Sequence, residues 1–495
     1  MAHKYIYKLL LIILLALCTA CESWLALEPQ DAITRQEFWQ TKEQVQAAMI
    51  GCYASLLGTT DNQRSIAESM FLWGEMRGDM IVPNTSAVAA ELEVVNGNIL
   101  ATNALANWRS FYKTINYCNT LIKFAPDVLR TDPTFKQSQL NAYLAEALTI
   151  RSLLYFYLVR TFREVPLKIE PTVSDQDEYA IAKSTEEEII TRILADLRQA
   201  EEMAVLSYGN HAANKGRVTR YTVNALQADV YLWAEDYEHA IEACNEIINS
   251  GQFGLVGGGE WFASQFVSGN SNESIFELQF DVQKTNPFFD MFATNRRWLA
   301  SPLVLEEMYT IDFTNPENKD LRADGASLRS DGRIWKYLGL DAERQRTVNE
   351  SYAHWIIYRY ADILLLKAEA LAQTGGGAEA LQIIDQVRTR GNALEATERG
   401  IDPDDISGLT DYILEERARE LAFEGKRWFD LLRNARRDSY SRLDILISMA
   451  VKSAPPERQQ SIINKLLDSN SHYLPIFYSE LLTNKNLVQN PFYLR

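Results

Sequence analysis

The sequence predicts a mainly α protein, a scaffold of tetratricopeptide-like helix pairs that carries a loop-rich lobe. Three observations predict it. Apolar residues recur with a period near 3.6 through most of the 495-residue chain. Two segments superpose at a constant offset of 140 residues: Ala228, Leu232, Ala240, Ile241, Cys244 and Ile247 match Ala368, Ala372, Ala380, Leu381, Ile384 and Val387. Small residues where helices cross, with aliphatics behind them, are what a helix-turn-helix repeat requires. Between the two copies, residues 253–352 turn rich in Gly, Asn, Ser and aromatics, a texture of long loops on a rigid support.

Residues 1–20 read as an address. Lys4 and Lys8 precede an apolar run from Leu9 to Leu17, long enough for a signal sequence and short for a permanent span. The run ends in Thr19-Ala20-Cys21, which predicts cleavage before Cys21 and lipidation of that cysteine. Cys18 as the acceptor would place bulky Leu17 at the cut, so Cys21 is preferred. Cys52, Cys118 and Cys244 each sit in an apolar helical pattern and read as small buried hydrophobes.

Further along, 140–162 is one long helical run that stops near Pro166, and its Leu144-Ala145-Glu146-Ala147 resembles the start of a third helix pair. The helix of 185–203 has Ser184 or Thr185 as its cap, with acidic residues in the first turn. Segment 222–250 breaks at Glu235-Asp236, and 361–390 breaks in the same way at Gly375-Gly376-Gly377. Ser274–Phe280 (SIFELQF) predicts a short strand inside the lobe. In Ile413–Arg433, Glu416, Glu420 and Glu424 recur every four residues beside Arg417 and Arg427. That spacing predicts a short buried ion-pair ladder packed by Leu421, Phe423, Trp428 and Phe429.

The chemistry the sequence excludes is also informative. A formal charge of −17 argues against nucleic acid, which needs a basic face. The five histidines are scattered, with no H-E-x-x-H and no cysteine at metal spacing, so neither a metal site nor a cofactor is expected. The glycine runs lack the Lys-Ser/Thr of a phosphate loop, and there is no G-x-S-x-G. The chain does not read as an enzyme.

The string ERARELAFEGKRWFDLLR, with LAEALTIRSLLYFYLVRTFREVPL at 144–167, IIYRYADILLLKAEAL at 356–371 and LPIFYSELLTNKNLVQNPFY near the end, resembles the SusD/RagB family. The opening SWLALEPQDAITRQEFWQTKEQVQAAMIGCY is similar too. Order and spacing match from Cys21 to Tyr493, with departures at Phe477 and Phe492, where the family's tail has proline and glycine. The resemblance implies one SusD-like domain over 21–495. Its helical scaffold would span about 36–252 and 353–434, the ligand lobe 253–352 and a tail 435–495. It implies a lipid-anchored protein on the outer face of the outer membrane of Bacteroidota, without enzymatic activity. Its partner would be a SusC-like TonB-dependent barrel transporter, and its ligand an oligosaccharide or, in some members, a peptide. A lipid-anchored scaffold with only protein partners is the competing reading.

Sugars are gripped by aromatic faces and by planar polar groups. The resemblance directs the search to 68–107 and 253–340. The first region offers Trp73, Arg77 and Asp79, then no aromatic across 80–107, leaving Asn84, Asn96 and Asn98 as polar candidates. The second offers Trp261, Phe288, Phe289, Arg296 and Trp298, with Trp335 and Tyr337 behind them. Aromatics make up 11 % of the chain, and their clustering at 261–298 marks the lobe as the expected ligand face.

Overall fold

Several helices of this chain begin at a side-chain cap, as at Ser65, Thr185, Asp236 and Asp405. The structure is a computed structural model that describes residues 35–58, 64–174 and 178–494. The leader and Cys21 therefore lie outside the described residues. The first helices are α1 (Lys42–Leu57), α2 (Ile66–Glu75), α3 (Ala89–Val95), α4 (Arg109–Phe124) and α5 (Gln137–Phe162). Helix α6 (Glu186–Met203) opens on a reciprocal capping box: Glu188 N donates to Thr185 Oγ1 at 3.2 Å and Thr185 N donates to Glu188 Oε2 at 2.8 Å.

The two repeat copies are α7 (Arg220–Trp233) with α8 (Tyr237–Ile248), and α9 (Tyr360–Gln373) with α10 (Gly377–Gly391). Glu235, at φ +61°, turns the chain between α7 and α8, and Gly375, at φ +80°, does so between α9 and α10. Ala228, Ala240, Ala368 and Ala380 are all buried where the helices cross. Helix α8 packs on α9, so the copies stack although about a hundred residues separate them, and α5 with α6 packs alongside α7. Helix α5 has the length and apolarity of a membrane span, yet its residues 145–162 are buried among other helices. The chain continues through α11 (Ile406–Glu420), α12 (Arg427–Tyr440), α13 (Asp444–Ser453) and α14 (Pro456–Leu466). Cys52, Cys118 and Cys244 are free thiols in the core.

Four short strands stitch the lobe to the scaffold. Strand β1 (Ile81–Pro83) pairs antiparallel with β3 (Trp298–Ala300), and β2 (Ser274–Leu278) pairs antiparallel with β4 (Trp355–Arg359). Strand β2 occupies most of the segment expected from SIFELQF. Strand β4 was invisible in the sequence because it is buried on both faces and shows no alternation, running straight into α9.

The acidic ladder is buried, and most of its partners come from elsewhere in the chain. Arg322 of the lobe binds Glu416 at 2.6 Å and Glu420 at 2.8 Å. Arg359 at the end of β4 binds Glu273 at 2.6 Å, Glu420 at 2.5 Å and Glu424 at 2.9 Å. Lys336 binds Glu424 at 2.9 Å. Arg417 instead turns to Asp362 at 3.0 Å and Asp430 at 2.8 Å. Burial alone would push the Glu420 carboxyl up, yet Arg390, Arg359 and Arg322 together hold it well below the usual carboxylate range. The ladder fastens lobe, repeat and C-terminal helices to one another.

Candidate ligand-binding site

Two segments that lie more than two hundred residues apart meet at the β1–β3 ladder. Beyond its end, Asn84 N donates to Arg297 O at 2.8 Å, and Asn84 Nδ2 donates to Arg296 O at 3.0 Å. Arg297 then locks the corner to the scaffold, pairing with Glu68 on α2 at 2.9 Å and with Glu91 on α3. The residue before it, Arg296, takes φ +45°, a left-handed conformation that costs a non-glycine residue about 1 kcal/mol or more. This turn brings the Arg296 guanidinium to a half-exposed position, where Nη2 donates to Asp331 O at 3.1 Å.

Around Arg296 the groups are planar and polar. Arg333 Nε donates to Asp331 Oδ2 at 2.8 Å. Burial pushes the Asp331 carboxyl up, but its hydrogen bonds and ion pair with Arg333, with Arg296 nearby, outweigh this and hold it below the usual range. Asn295 Nδ2 donates to Asp290 Oδ1 at 2.8 Å, and both side chains are exposed. Phe289, one residue before, is half-buried, with its backbone N donating to Ser351 Oγ at 3.3 Å. The corner thus presents two guanidinium groups, two carboxylates and an amide, already hydrogen-bonded into fixed orientations. Such a surface can donate and accept to vicinal hydroxyls without first ordering its side chains.

Most of the aromatic candidates face inward instead. Trp73 stacks on Phe111 with ring centroids 4.7 Å apart, and its Nε1 donates to Leu105 O at 2.8 Å. Phe288 lies on Tyr337 at 4.4 Å, within a nest that includes Phe292 and Trp355. Trp298 is fully buried on β3, so β1–β3 pairing sets its side chain into the core. Trp261 covers the ion-pair ladder, with Lys336, Arg359 and Arg390 within 5.1 to 5.9 Å of its ring. Trp335 and Tyr337 are buried as well. The expectation of exposed stacking faces at Trp73, Trp261, Phe288 and Trp298 is corrected: in this conformation none presents a face to solvent. Asp79 is engaged in a two-pronged ion pair with Arg427, at 2.7 and 2.8 Å, which ties β1 to α12. Arg77 lies under Trp428, 4.3 Å from the ring centroid. Asn98 accepts from Lys465 Nζ at 2.5 Å. Of the block of candidates, Phe289 and Arg296 are partly exposed, and Asn84 buttresses Arg296 through its backbone carbonyl.

The sequence reading missed a larger cleft. A volume of about 820 Å³ opens between α4, residues 166–172, residues 179–181 and residues 480–487, with Tyr112, Tyr179, Arg109, Asn116 and Glu480 among its walls. An isolated aromatic, Tyr179, in an otherwise acidic and polar stretch was the one signal that could have found it. No group of three or more His, Cys, Asp and Glu side chains suited to a metal ion occurs among the described residues.

Helix pairs stacked on one another and a loop-rich lobe fastened by a buried ion-pair ladder define a helical-repeat scaffold protein. Residues 303–493 match the SusD family, and residues 23–232 match a family described as starch-binding associating with outer membrane. The chain belongs to the SusD family. It is 26 % identical to "SusD-like protein P38" of Formosa agariphila, covering 97 % of each chain. It is likewise 26 % identical to "SusD-like protein P2" of the same organism, over 98 % of this chain and 99 % of the other. Among solved structures, a SusD superfamily protein from Bacteroides vulgatus superposes with a TM-score of 0.75 at 20 % identity, covering 92 % of this chain and all of the other. A SusD-like protein from Bacteroides fragilis gives a TM-score of 0.71 at 21 % identity, over 94 % and 99 %. These likenesses establish the fold, a mainly helical SusD-type architecture.

Proposed function

We propose that this protein captures oligosaccharide outside the cell and passes it to a SusC-like TonB-dependent transporter, held at the outer membrane by lipid on Cys21. The observation that carries the reading is the Asn84–Arg296 corner. There the two segments expected to contribute ligand contacts are hydrogen-bonded to each other, with the planar polar side chains of Arg296 and Asp331 half-exposed. The family match supports the outer-membrane setting, since one of the matched families is described by that association. Supporting the role as a binding protein, the acidic and basic side chains at the corner are paired and held in fixed orientations.

The grip differs from a stacking platform. With the lobe's tryptophans buried, hydrogen bonds to Arg296, Asp331 and Arg333 carry the affinity, with Phe289 as the single apolar contact. Ligands of modest affinity and high polarity follow from that composition. Binding is tested by calorimetric titration of the soluble protein from residue 22 onward against a panel of oligosaccharides, with Arg296→Ala and Tyr179→Ala as variants. Loss of binding in Arg296→Ala with retention in Tyr179→Ala is the expected result; the reverse would move the site to the cleft beside α4. Replacing Cys21 by Ala should release the full chain from membranes, and retention there would refute the lipid anchor. Gentle solubilisation should recover a large barrel protein with the chain, and its absence would refute the partner.

A further inference from the structure

A second, smaller cavity has a chemistry unlike the polar corner. It lies between the turn after α2, the end of α3, α14 and the C-terminal residues Phe492 and Tyr493, and its volume is about 70 Å³. One water needs roughly 10–15 Å³ by the same measure, so there is room for a small organic group. Most of the lining is apolar, from Val95, Ile99, Met449, Ile462 and Phe492. Two cations, Arg77 and Lys465, also line it, and no Asp or Glu does. That is unusual in a chain with 66 acidic residues. The clefts beside α4, α6 and α11 all have carboxylates in their walls.

Arg77 sits under the Trp428 ring, and its Nη1 donates to His472 O at 2.5 Å. Its Nη2 is out of contact with solvent and has no acceptor, and Trp428 Nε1 is a second buried donor without one. Lys465 Nζ is held at the rim by Gly97 O at 2.8 Å and Asn98 Oδ1. Burial pushes the Arg77 guanidinium down to about 10, and the neighbours that oppose this are the phenols of Tyr493 and Tyr473 rather than acids. A buried cation with an unused donor costs free energy until an anion or water meets it.

We infer that this cavity is a binding site for a carboxylate on a small apolar body, its charge met by Arg77 and by Lys465 at the rim, and its alkyl or aryl part against Ile462, Met449 and Val95. The two lining cations, the absence of any lining acid and the aliphatic walls together select that class over a neutral sugar or a cation. This site stands apart from the Asn84–Arg296 corner and does not rest on the oligosaccharide reading.

The test is ligand-observed NMR and calorimetry with hexanoate, hexan-1-ol and hexylamine, on wild type, Arg77→Met and Ile462→Trp. Hexanoate should bind saturably in the millimolar range or tighter, with the alcohol and the amine weaker by about tenfold or more, the worth of one charge-assisted hydrogen bond. Arg77→Met removes the charge while keeping bulk, and should weaken hexanoate by a similar factor. Ile462→Trp fills the cavity from a partly exposed position, leaving Arg77 in place, and should abolish binding even if Arg77→Met fails to fold. N-Acetyl-leucine, run alongside, separates the carboxylate end of a peptide from a free short-chain acid by which binds more tightly. Equal binding of hexanol and hexanoate, hexanoate binding that survives Ile462→Trp, or no saturable binding at millimolar concentration because water alone fills the cavity, would overturn the inference. Oligosaccharide binding in Ile462→Trp should be unchanged, which keeps this test independent of the corner.

Discussion

Replacing Glu420 by Gln tests the ion-pair ladder at its centre. The Glu420 carboxylate is fully buried and accepts from Arg322 at 2.8 Å, from Arg359 at 2.5 Å and from Arg390. Around it five carboxylates (Glu273, Asp320, Glu416, Glu420, Glu424) face six cations (Arg322, Lys336, Arg359, Arg388, Arg390, Arg419). Gln keeps the shape but removes one of the five negative charges and turns an amide N–H₂ toward a guanidinium. Breaking a buried pair from one side costs about 3–5 kcal/mol, because the remaining charge stays desolvated. Urea unfolding followed by tryptophan fluorescence and far-ultraviolet circular dichroism should show that loss as a lower midpoint with an unchanged slope. The pH dependence has a definite sign. Since the folded-state Glu420 carboxyl is held below its unfolded value, its contribution is present above the unfolded carboxylate range and lost as pH falls through the folded value. The deficit of the variant should therefore shrink in acid. Asp127→Asn, which breaks the exposed Arg130–Asp127 pair at 2.6 Å, should be indistinguishable from wild type. A loss below about 1 kcal/mol for Glu420→Gln, or one that does not vary with pH, would refute the view that the ladder is a buried fastening of paired charges.

Other outcomes follow from single contacts. Glu75 is buried with Oε2 unpartnered, and burial pushes its carboxyl up to about 8. Its folded value lies above the unfolded one, so stability is lost as pH rises between them; Glu75→Gln, which keeps the acceptor for Gly425 N, should gain relative stability over pH 5 to 8 in urea titrations. Gly74→Ala would set a Cβ 1.8 Å from Gly425 O, so α2 must move from α12, and thermal unfolding should show a loss of several kcal/mol or failure to fold. Thr185→Ala removes the α6 capping box and should cost about 1 kcal/mol by urea titration, with Thr185→Ser nearly neutral.

The parts of the fold written in local spacing were legible. The 140-residue offset marked α7–α8 and α9–α10 because each helix pair repeats the same small residues at its crossing. Glu416, Glu420 and Glu424 announced a buried ladder by their spacing. Their partners were not legible, because Arg322, Lys336 and Arg359 reach them from distant segments whose local sequence shows nothing unusual. The aromatic candidates failed for a related reason. A tryptophan in a Gly- and Asn-rich stretch looks loop-borne, but Trp298 sits on a strand that pairs with β1, and Trp261 folds back over the ladder. Composition gives the aromatic, and only the three-dimensional path gives its face. Arg296 reaches the surface at a left-handed turn just before β3, which no spacing rule anticipates.

The most direct measurement is calorimetric titration of oligosaccharides into the soluble protein, paired with Arg296→Ala and Phe289→Ala of unchanged unfolding midpoint. Saturable binding of at least one oligosaccharide by wild type, weakened about tenfold or more by Arg296→Ala and less by Phe289→Ala, is the predicted result. No binding across the panel, or binding indifferent to both substitutions, would contradict the assignment of the Asn84–Arg296 corner as the capture site.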